Sequence, residues 1–462
     1  GRTTVINGTA GSGKTLLALE FLYKGALAGE PGIFIGFEET MEQLRQNAAT
    51  LGWDLQSLED EGKLFLMSGH IKPDILISGD FSLKGLLASA SGKVRETGAR
   101  RIVIDALEVA LRLINSPLQV RNEIHALNNW LHDAGLTAIL TVRPAASGIT
   151  PLYEDFFQSM GDCVIVLEGK VMNQISTQRI RVIKYRGSAF GRNEYPYVIT
   201  GGGLQIAPIS TVGLKHKPFG KKISTGLKKL DEILDGGYHS ASCVLFAGQP
   251  GTGKTILAST FVAAACKRRE KTLYISFEES QKELVNNVSS AGIILKPYIL
   301  SETLNFICTY PELMGAEQHY VNALSLIRQI SPAHVVVDAI SACERMGSKQ
   351  AAFEYLMRLL NTCKEKGITI LLVNQTSGSK DITEISGNGI SSMVDTVIRL
   401  EYHESYGETT RLMQVLKSRG SAHSNQKREY VITHEGIKIV DVYDDYQTAI
   451  YHQVIIVPTL IV

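Results

Sequence analysis

The feature that most constrains this chain is that it is written twice. GTAGSGKT, from Gly8 to Thr15, returns as GQPGTGKT from Gly248 to Thr255, and FEET from Phe37 to Thr40 returns as FEES from Phe277 to Ser280, both at an offset of 240. Further along, RIVIDA ending at Ala106 matches HVVVDA ending at Ala339, and DCVIVLE matches DTVIRLE. KYRGSA matches KSRGSA, and YVIT at Tyr197 matches YVIT at Tyr430; these four pairs share an offset of 233. A register that holds within each stretch and slips once, by seven residues between Thr40 and Asp105, is what duplicated domains with one altered loop produce. Chance similarity scatters its offsets.

At 462 residues the chain exceeds what one hydrophobic core usually supports, so each copy is expected to fold as its own domain. Each reads as a short β-branched strand, a glycine-rich loop, a helix, then strands alternating with helical stretches and a late hairpin. That is the α/β pattern of a mainly parallel twisted sheet flanked by helices. The expected division is a first domain over 1–207, a linker over 208–222, a second domain over 223–440 and a tail over 441–462. The linker is read from Pro208, Pro218, Lys215, Lys217, Lys221 and Lys222. The second copy opens with ISTGLKKLDEILDGGY, Ile223 to Tyr238, which has no counterpart in the first. With Gly1 rather than methionine at the start, the expectation is that a further N-terminal segment precedes the first copy.

In each glycine-rich loop the backbone amides can curl round phosphate oxygens. In the first, Gly8, Thr9, Ala10, Gly11, Ser12 and Gly13 form the cradle, Lys14 reaches the β and γ phosphates, and the Thr15 hydroxyl ligates Mg²⁺. Gly248, Gln249, Pro250, Gly251, Thr252, Gly253, Lys254 and Thr255 repeat the device. Asp105 and Asp338 each end an apolar run, where a carboxylate beside the loop can hold Mg²⁺ or its waters; capping the next helix is the plainer role for such an aspartate. Glu38 and Glu39, and Glu278 and Glu279, follow the strands IFIGF and LYISF, so one carboxylate of each pair can polarise an attacking nucleophile. An acid-rich helix start is the alternative. Lys184 and Arg186 in KYRGS, and Lys417 and Arg419 in KSRGS, are spaced to share one face of a late strand. There they either reach a phosphate across a subunit boundary or simply face water.

Composition narrows the partners. With 44% apolar and 20% charged residues the chain is ordinary globular material, and its net charge of +1 supplies no basic field for nucleic acid or an anionic membrane. No apolar run reaches the roughly 18 residues needed to span lipid, and Val454 to Val462 is broken by Pro458 and is expected to pack on protein. The six cysteines show neither metal-ligand spacing nor the density of a disulfide framework, which leads us to expect a reducing cytoplasm.

Taken together, the tandem phosphate loops, FEET and FEES, RRIVIDA, the KxRGS segments and ISTGLKKLDEILDGG resemble the KaiC family, double-domain ATPases and autokinases of the circadian clock, and its relatives outside full clocks. RecA and replicative helicases share the fold but not this set. The resemblance covers nearly the whole chain. It implies two tandem RecA-like domains in a homohexamer of two stacked rings, with ATP and Mg²⁺ at subunit boundaries. Lys184, Arg186, Lys417 and Arg419 would reach the neighbour's phosphate, and a KaiB-like partner would dock on the first domain. It further implies autophosphorylation and dephosphorylation at Ser391 and Ser392 in GISSMVDT, where a serine replaces the clock protein's usual threonine. The first copy has Gln158 and Ser159 at these positions, so the paired hydroxyls belong to the second copy alone. Glu278 would take the serine proton, whereas Glu38 would activate water. The tail after REYVITHEGIKI departs from the clock protein's regulatory segment, which counts against a KaiA-like activator. Two other readings stay open. One is a nucleic-acid-driven ATPase contacting its strand through Lys215 to Lys222 and Lys267 to Arg269, against which the near-zero net charge counts. The other is an ATP-held scaffold with negligible kinase activity.

Overall fold

The computed structural model describes residues 1–69, 82–114, 116–144, 156–157, 159–206, 216–376, 393–405 and 408–443. The chain divides into two compact units, Gly1–Val171 with Ser176–Pro208, and Met172–Ile175 with Ile209–Val462. Ser391, Ser392, Gln158 and much of the expected linker and tail lie outside the described residues.

In the first unit the described strands are β1 (Thr3–Gly8), β2 (Gly32–Gly36), β3 (Leu64–Ser68), β4 (Arg101–Asp105), β5 (Thr137–Val142), β6 (Cys163–Met172), β7 (Ile175–Tyr185), β8 (Tyr195–Thr200) and β9 (Gly203–Ile206). They form one sheet in the order β3-β2-β4-β5-β1-β6-β7-β8-β9. Neighbours from β3 through β6 run parallel, while β7, β8 and β9 pair antiparallel. Every residue of β2 is buried, as expected for a strand covered on both faces.

Period-two alternation sorts those side chains into two cores. Along β4, Ile102 and Ile104 join one cluster and Val103 the other. Helix Lys14–Leu27 buries Ala18, Leu19, Leu22 and Ala26 on the Val103 side. Helix Pro117–Asp133 buries Val120, Ile124, Leu127 and Leu131, one stripe at helical spacing, on the other side.

The second unit repeats this plan. A short ladder pairs β10 (Lys222–Ile223) with β11 (Tyr238–His239). The main sheet then takes β12 (Cys243–Gly248), β13 (Thr272–Ser276), β14 (Leu304–Cys308), β15 (His334–Asp338), β16 (Thr369–Gln375), β17 (Thr396–Ser405), β18 (Glu408–Ser418), β19 (Arg428–Thr433) and β20 (Gly436–Val442). Its order, β14-β13-β15-β16-β12-β17-β18-β19-β20, matches the first sheet strand for strand. Between the ladder strands, Asp231 accepts from the Thr225 amide at 2.7 Å and from the Ser224 hydroxyl at 2.5 Å, while Leu230 and Leu234 enter the core.

The seven-residue slip in register can now be placed, and a further one-residue shift separates β4 and β15 (offset 233) from β5 and β16 (offset 232). Helices Met41–Ala49 and Gln281–Ser289, and strands β3 and β14, still keep the offset of 240; helices Lys84–Thr97 and Ala316–Ile330 do not. The seven-residue difference therefore lies in the connection between β3 and the next helix, and its counterpart after β14.

Candidate active sites

Each phosphate loop springs from a central strand and runs directly into a helix, Lys14–Leu27 or Lys254–Lys267. Gly13 (φ 80°) and Gly253 (φ 88°) hold left-handed backbone at the turn into the helix, where a side chain is strained. A Cβ there would also sit 2.8 Å from Ile199 Cδ1 or 2.6 Å from Ile432 Cδ1. Those isoleucines belong to the YVIT repeats, and the tyrosine of each repeat acts on the same loop. Tyr197 Oη donates to the Ser12 carbonyl at 2.5 Å, and Tyr430 Oη donates to the Thr252 carbonyl. Burial pushes the Tyr197 phenol up to about 12 and raises Tyr430 as well, so both stay protonated donors. The motif chemistry does not point to these four residues; the exact repetition of YVIT is the sequence signal for them.

Within each loop the lysine is folded back. Lys14 Nζ donates to the Thr9 carbonyl and Lys254 Nζ to the Gln249 carbonyl, both at 2.8 Å, and burial lowers the pKa of both lysines. A phosphate placed over the loop would supply the countercharge that this carbonyl only partly provides.

The aspartate at the end of β4 meets the hydroxyl that follows the lysine: Thr15 Oγ1 lies 3.2 and 3.0 Å from the two carboxylate oxygens of Asp105. Thr141 on β5 donates to Asp105 Oδ1 at 2.6 Å. Burial raises the Asp105 pKa, and the bonds from Thr141 and Thr15 oppose that rise. In the second unit burial pushes Asp338 up to about 6, against hydrogen bonds from Tyr274 and Thr255. Tyr274 Oη donates to Asp338 Oδ2 at 2.7 Å, from the strand on the other flank of β15. The equivalent residue in the first unit is Phe34, so the two aspartates are steadied by different neighbours. Among the described residues no cluster of three or more histidine, cysteine or acidic side chains can hold a metal ion. A threonine–aspartate pair beside a phosphate loop still suits Mg²⁺, because phosphate oxygens and water supply most of that ion's ligands.

The two glutamates of each pair are treated differently. Glu39 is approached by Asn47 Nδ2 at 3.4 Å and Glu279 by Asn287 Nδ2 at 2.8 Å, both from the following helix. Capping boxes Thr40–Gln43 and Ser280–Glu283 fix where those helices begin. Glu38, which lines the cleft together with Glu39, is instead met by Arg143, whose Nη2 donates to its oxygens at 3.1 and 3.2 Å. Glu278 lines a cleft with Ser341, Arg345, Gln375 and Thr376. In the first unit the cleft gathers Lys14, Thr15, Glu38, Glu39 and Asp105 with two residues not anticipated from the motifs, Glu108 and Arg143.

The basic KxR residues lie away from the clefts of their own domains. Lys184 Nζ and Arg186 Nη2 both donate to the Ser159 carbonyl, at 2.9 and 2.8 Å, which puts them on one side as their spacing suggests. Lys417 Nζ donates to the Val394 carbonyl at 2.7 Å, and Arg419 Nη1 lies 3.7 Å from Asp395. The arginines fall just beyond the ends of β7 and β18 rather than on them.

A sequence model of the family described as "ATPase: KaiC" matches this chain twice, over residues 1–211 and 223–443. The chain belongs to the KaiC family. It is a KaiC-family double-domain ATPase, and its two RecA-like, ATP-binding domains account for the duplicated clefts. It is 36% identical over 450 residues to the circadian clock protein KaiC2 of Synechocystis sp., covering 96% of this chain and 78% of that one. It is 35% identical to the circadian clock oscillator protein KaiC of Parathermosynechococcus lividus, covering 97% and 84% of the two chains. The KaiC of Synechococcus elongatus is 33% identical over 455 residues, 97% of this chain and 87% of its own. No described helix is long and apolar enough to cross a membrane.

Proposed function

We propose that this KaiC-family ATPase is a homohexameric autokinase and autophosphatase in which the first domain hydrolyses ATP and the second passes phosphate to Ser391 or Ser392. The observation that carries this reading is the convergence, in both domains, of a phosphate-loop lysine, a threonine–aspartate pair and a glutamate with the geometry given above. In the first domain Glu38 takes a proton from water; in the second Glu278 takes one from a serine hydroxyl. Thr15 with Asp105, and Thr255 with Asp338, would hold Mg²⁺, which when bound neutralises charge on the phosphates. Lys14 and Lys254 steady the transferring phosphoryl group, leaving positioning and electrostatics as the main work of the protein.

Lys184, Arg186, Lys417 and Arg419 point this reading to an assembly. Because they lie away from their own clefts, we assign them to a neighbour's nucleotide, so ATP would sit at subunit boundaries of a ring. Phosphorylation would add about −1.5 to −2 charge per serine, enough to alter contacts at such a boundary. That gives a timing or regulatory switch, with the first domain as the docking face for a KaiB-like partner. The six cysteines are all free, which fits a reducing compartment.

The test is to incubate the full chain with Mg·ATP, map phosphosites by mass spectrometry, and run Glu278→Gln alongside. Phosphate on Ser391 or Ser392 that disappears in the variant is the expected result. Unmodified serines in an ATP-turning-over protein would leave an ATPase without kinase activity, and native mass spectrometry with ATP would show whether the ring forms.

A further inference from the structure

At two positions the first cleft carries an acid and a base where the second carries uncharged residues. Glu108 stands three residues after Asp105, and Arg143 follows the end of β5; in the register set by the strand pairing the second domain has Ser341 and Gln375. Both positions differ together.

Glu108 is only 2% exposed, and its Oε2 has no hydrogen-bond partner among the described residues. It accepts from backbone amides, including that of Arg143, and it is the leading favourable charge beside Lys14. Arg143 therefore leaves β5 over a buried carboxylate that fixes its backbone. Its Nη2 grips both oxygens of Glu38, while its Nε is buried with no hydrogen-bond partner among the described residues.

This arrangement uses the guanidinium to occupy the carboxylate that has to take a proton from water. A γ-phosphoryl group over Lys14 would compete for the same cation, because arginine pairs with phosphate through two parallel donors and Nε is still available. ADP brings no such group. We propose that Arg143 is a γ-phosphate-sensing positioning residue of the first domain. It holds Glu38 when that site is empty or carries ADP, and moves to the γ-phosphoryl group when ATP binds, which releases Glu38 to the water. Glu108 anchors the swinging residue at its backbone. The second domain has Gln375 and Ser341 at these positions, and the arginine of its cleft, Arg345, pairs with Glu312 at 3.1 Å. The inference rests on the hydrolytic reading of the first site.

The test is a binding cycle that needs no turnover. In the full chain carrying Lys254→Ala to silence the second loop, the affinities of β,γ-imido-ATP and ADP are measured by calorimetry for Arg143, Arg143→Thr and Arg143→Lys, each with Glu38 and with Glu38→Gln. Arg143→Thr is expected to reduce the preference for the triphosphate about tenfold, with Arg143→Lys restoring part of it. Glu38→Gln is expected to tighten the triphosphate several-fold when Arg143 is present, by removing its competitor, and to change nothing when it is threonine. An unchanged preference in Arg143→Thr, or a Glu38→Gln effect independent of residue 143, overturns the proposal. Separate failure of the hydrolytic reading would show as undiminished ATP turnover in Glu38→Gln, whatever the binding ratios.

Discussion

The phenol of Tyr197, on β8, donates a 2.5 Å hydrogen bond to the carbonyl of Ser12, in the middle of the phosphate loop. Tyr430 and Thr252 form the same pair in the second domain. A late antiparallel strand thus holds each loop from below, where the loop's own amides leave that carbonyl unpaired. Tyr197→Phe keeps the ring and removes the donor, at a cost of about 1 kcal/mol. Calorimetric titration should show nucleotide at the first site weakened by about fivefold, with the second site unaffected.

Gly253→Ala meets two obstacles at once, a left-handed φ and the Ile432 side chain. The backbone strain alone is worth about 1 kcal/mol or more. ATP binding at the second site should fall by at least tenfold. Adding Ile432→Ala should return only part of it, because that change relieves the contact and leaves the backbone strained.

On the proposed mechanism, Glu38→Gln removes the general base of the first site, a contribution typically of about 10²- to 10⁴-fold. Steady-state hydrolysis by the first domain should drop by about 100-fold or more. Phosphate incorporation into the second domain, followed by mass spectrometry over a single ATP addition, should persist.

Acid stability depends on a pair far from either loop. His334, which is 3% exposed, meets Glu270 at 2.9 Å, and Arg268 also pairs with it. These partners hold the Glu270 carboxyl down at about 2. Because the folded value is depressed, the stabilisation is present above the unfolded value near 4.5 and is lost as pH falls from there towards about 2. In Glu270→Gln the deficit relative to the parent protein, read from urea unfolding of the second unit, should be largest at pH 5 and shrink steadily at lower pH.

The repeated motifs made the duplication, the sheet class and the loop–aspartate–glutamate set legible, because phosphate chemistry demands particular residues at fixed places along a strand and helix. Lys184 and Arg186 share a side as their spacing implies, yet the arginines sit in turns, since strand ends depend on partners that a single chain segment does not reveal. Tyr197 and Ile199 were visible as a repeat without a role: their function is to touch a loop roughly 185 positions away, and only packing supplies that distance. Arg143 and Glu108 had the opposite signature. They break the repeat, and a mismatch between copies acquires meaning only when both mismatched side chains are found in one cleft. The partners of Asp105 and Asp338 differ for a similar reason, because Thr141 and Tyr274 approach from opposite neighbouring strands.

The absence of any length difference between the glutamate pair and the end of β3 has a practical consequence for engineering. From Phe37 to Ser68, and from Phe277 to Cys308, the two halves run residue for residue. Tracts can therefore be exchanged between them without adding or deleting backbone. The glutamate pair, its asparagine and its capping box travel as one cassette, so the chemistry of one site can be transplanted into the other while the seam is left alone.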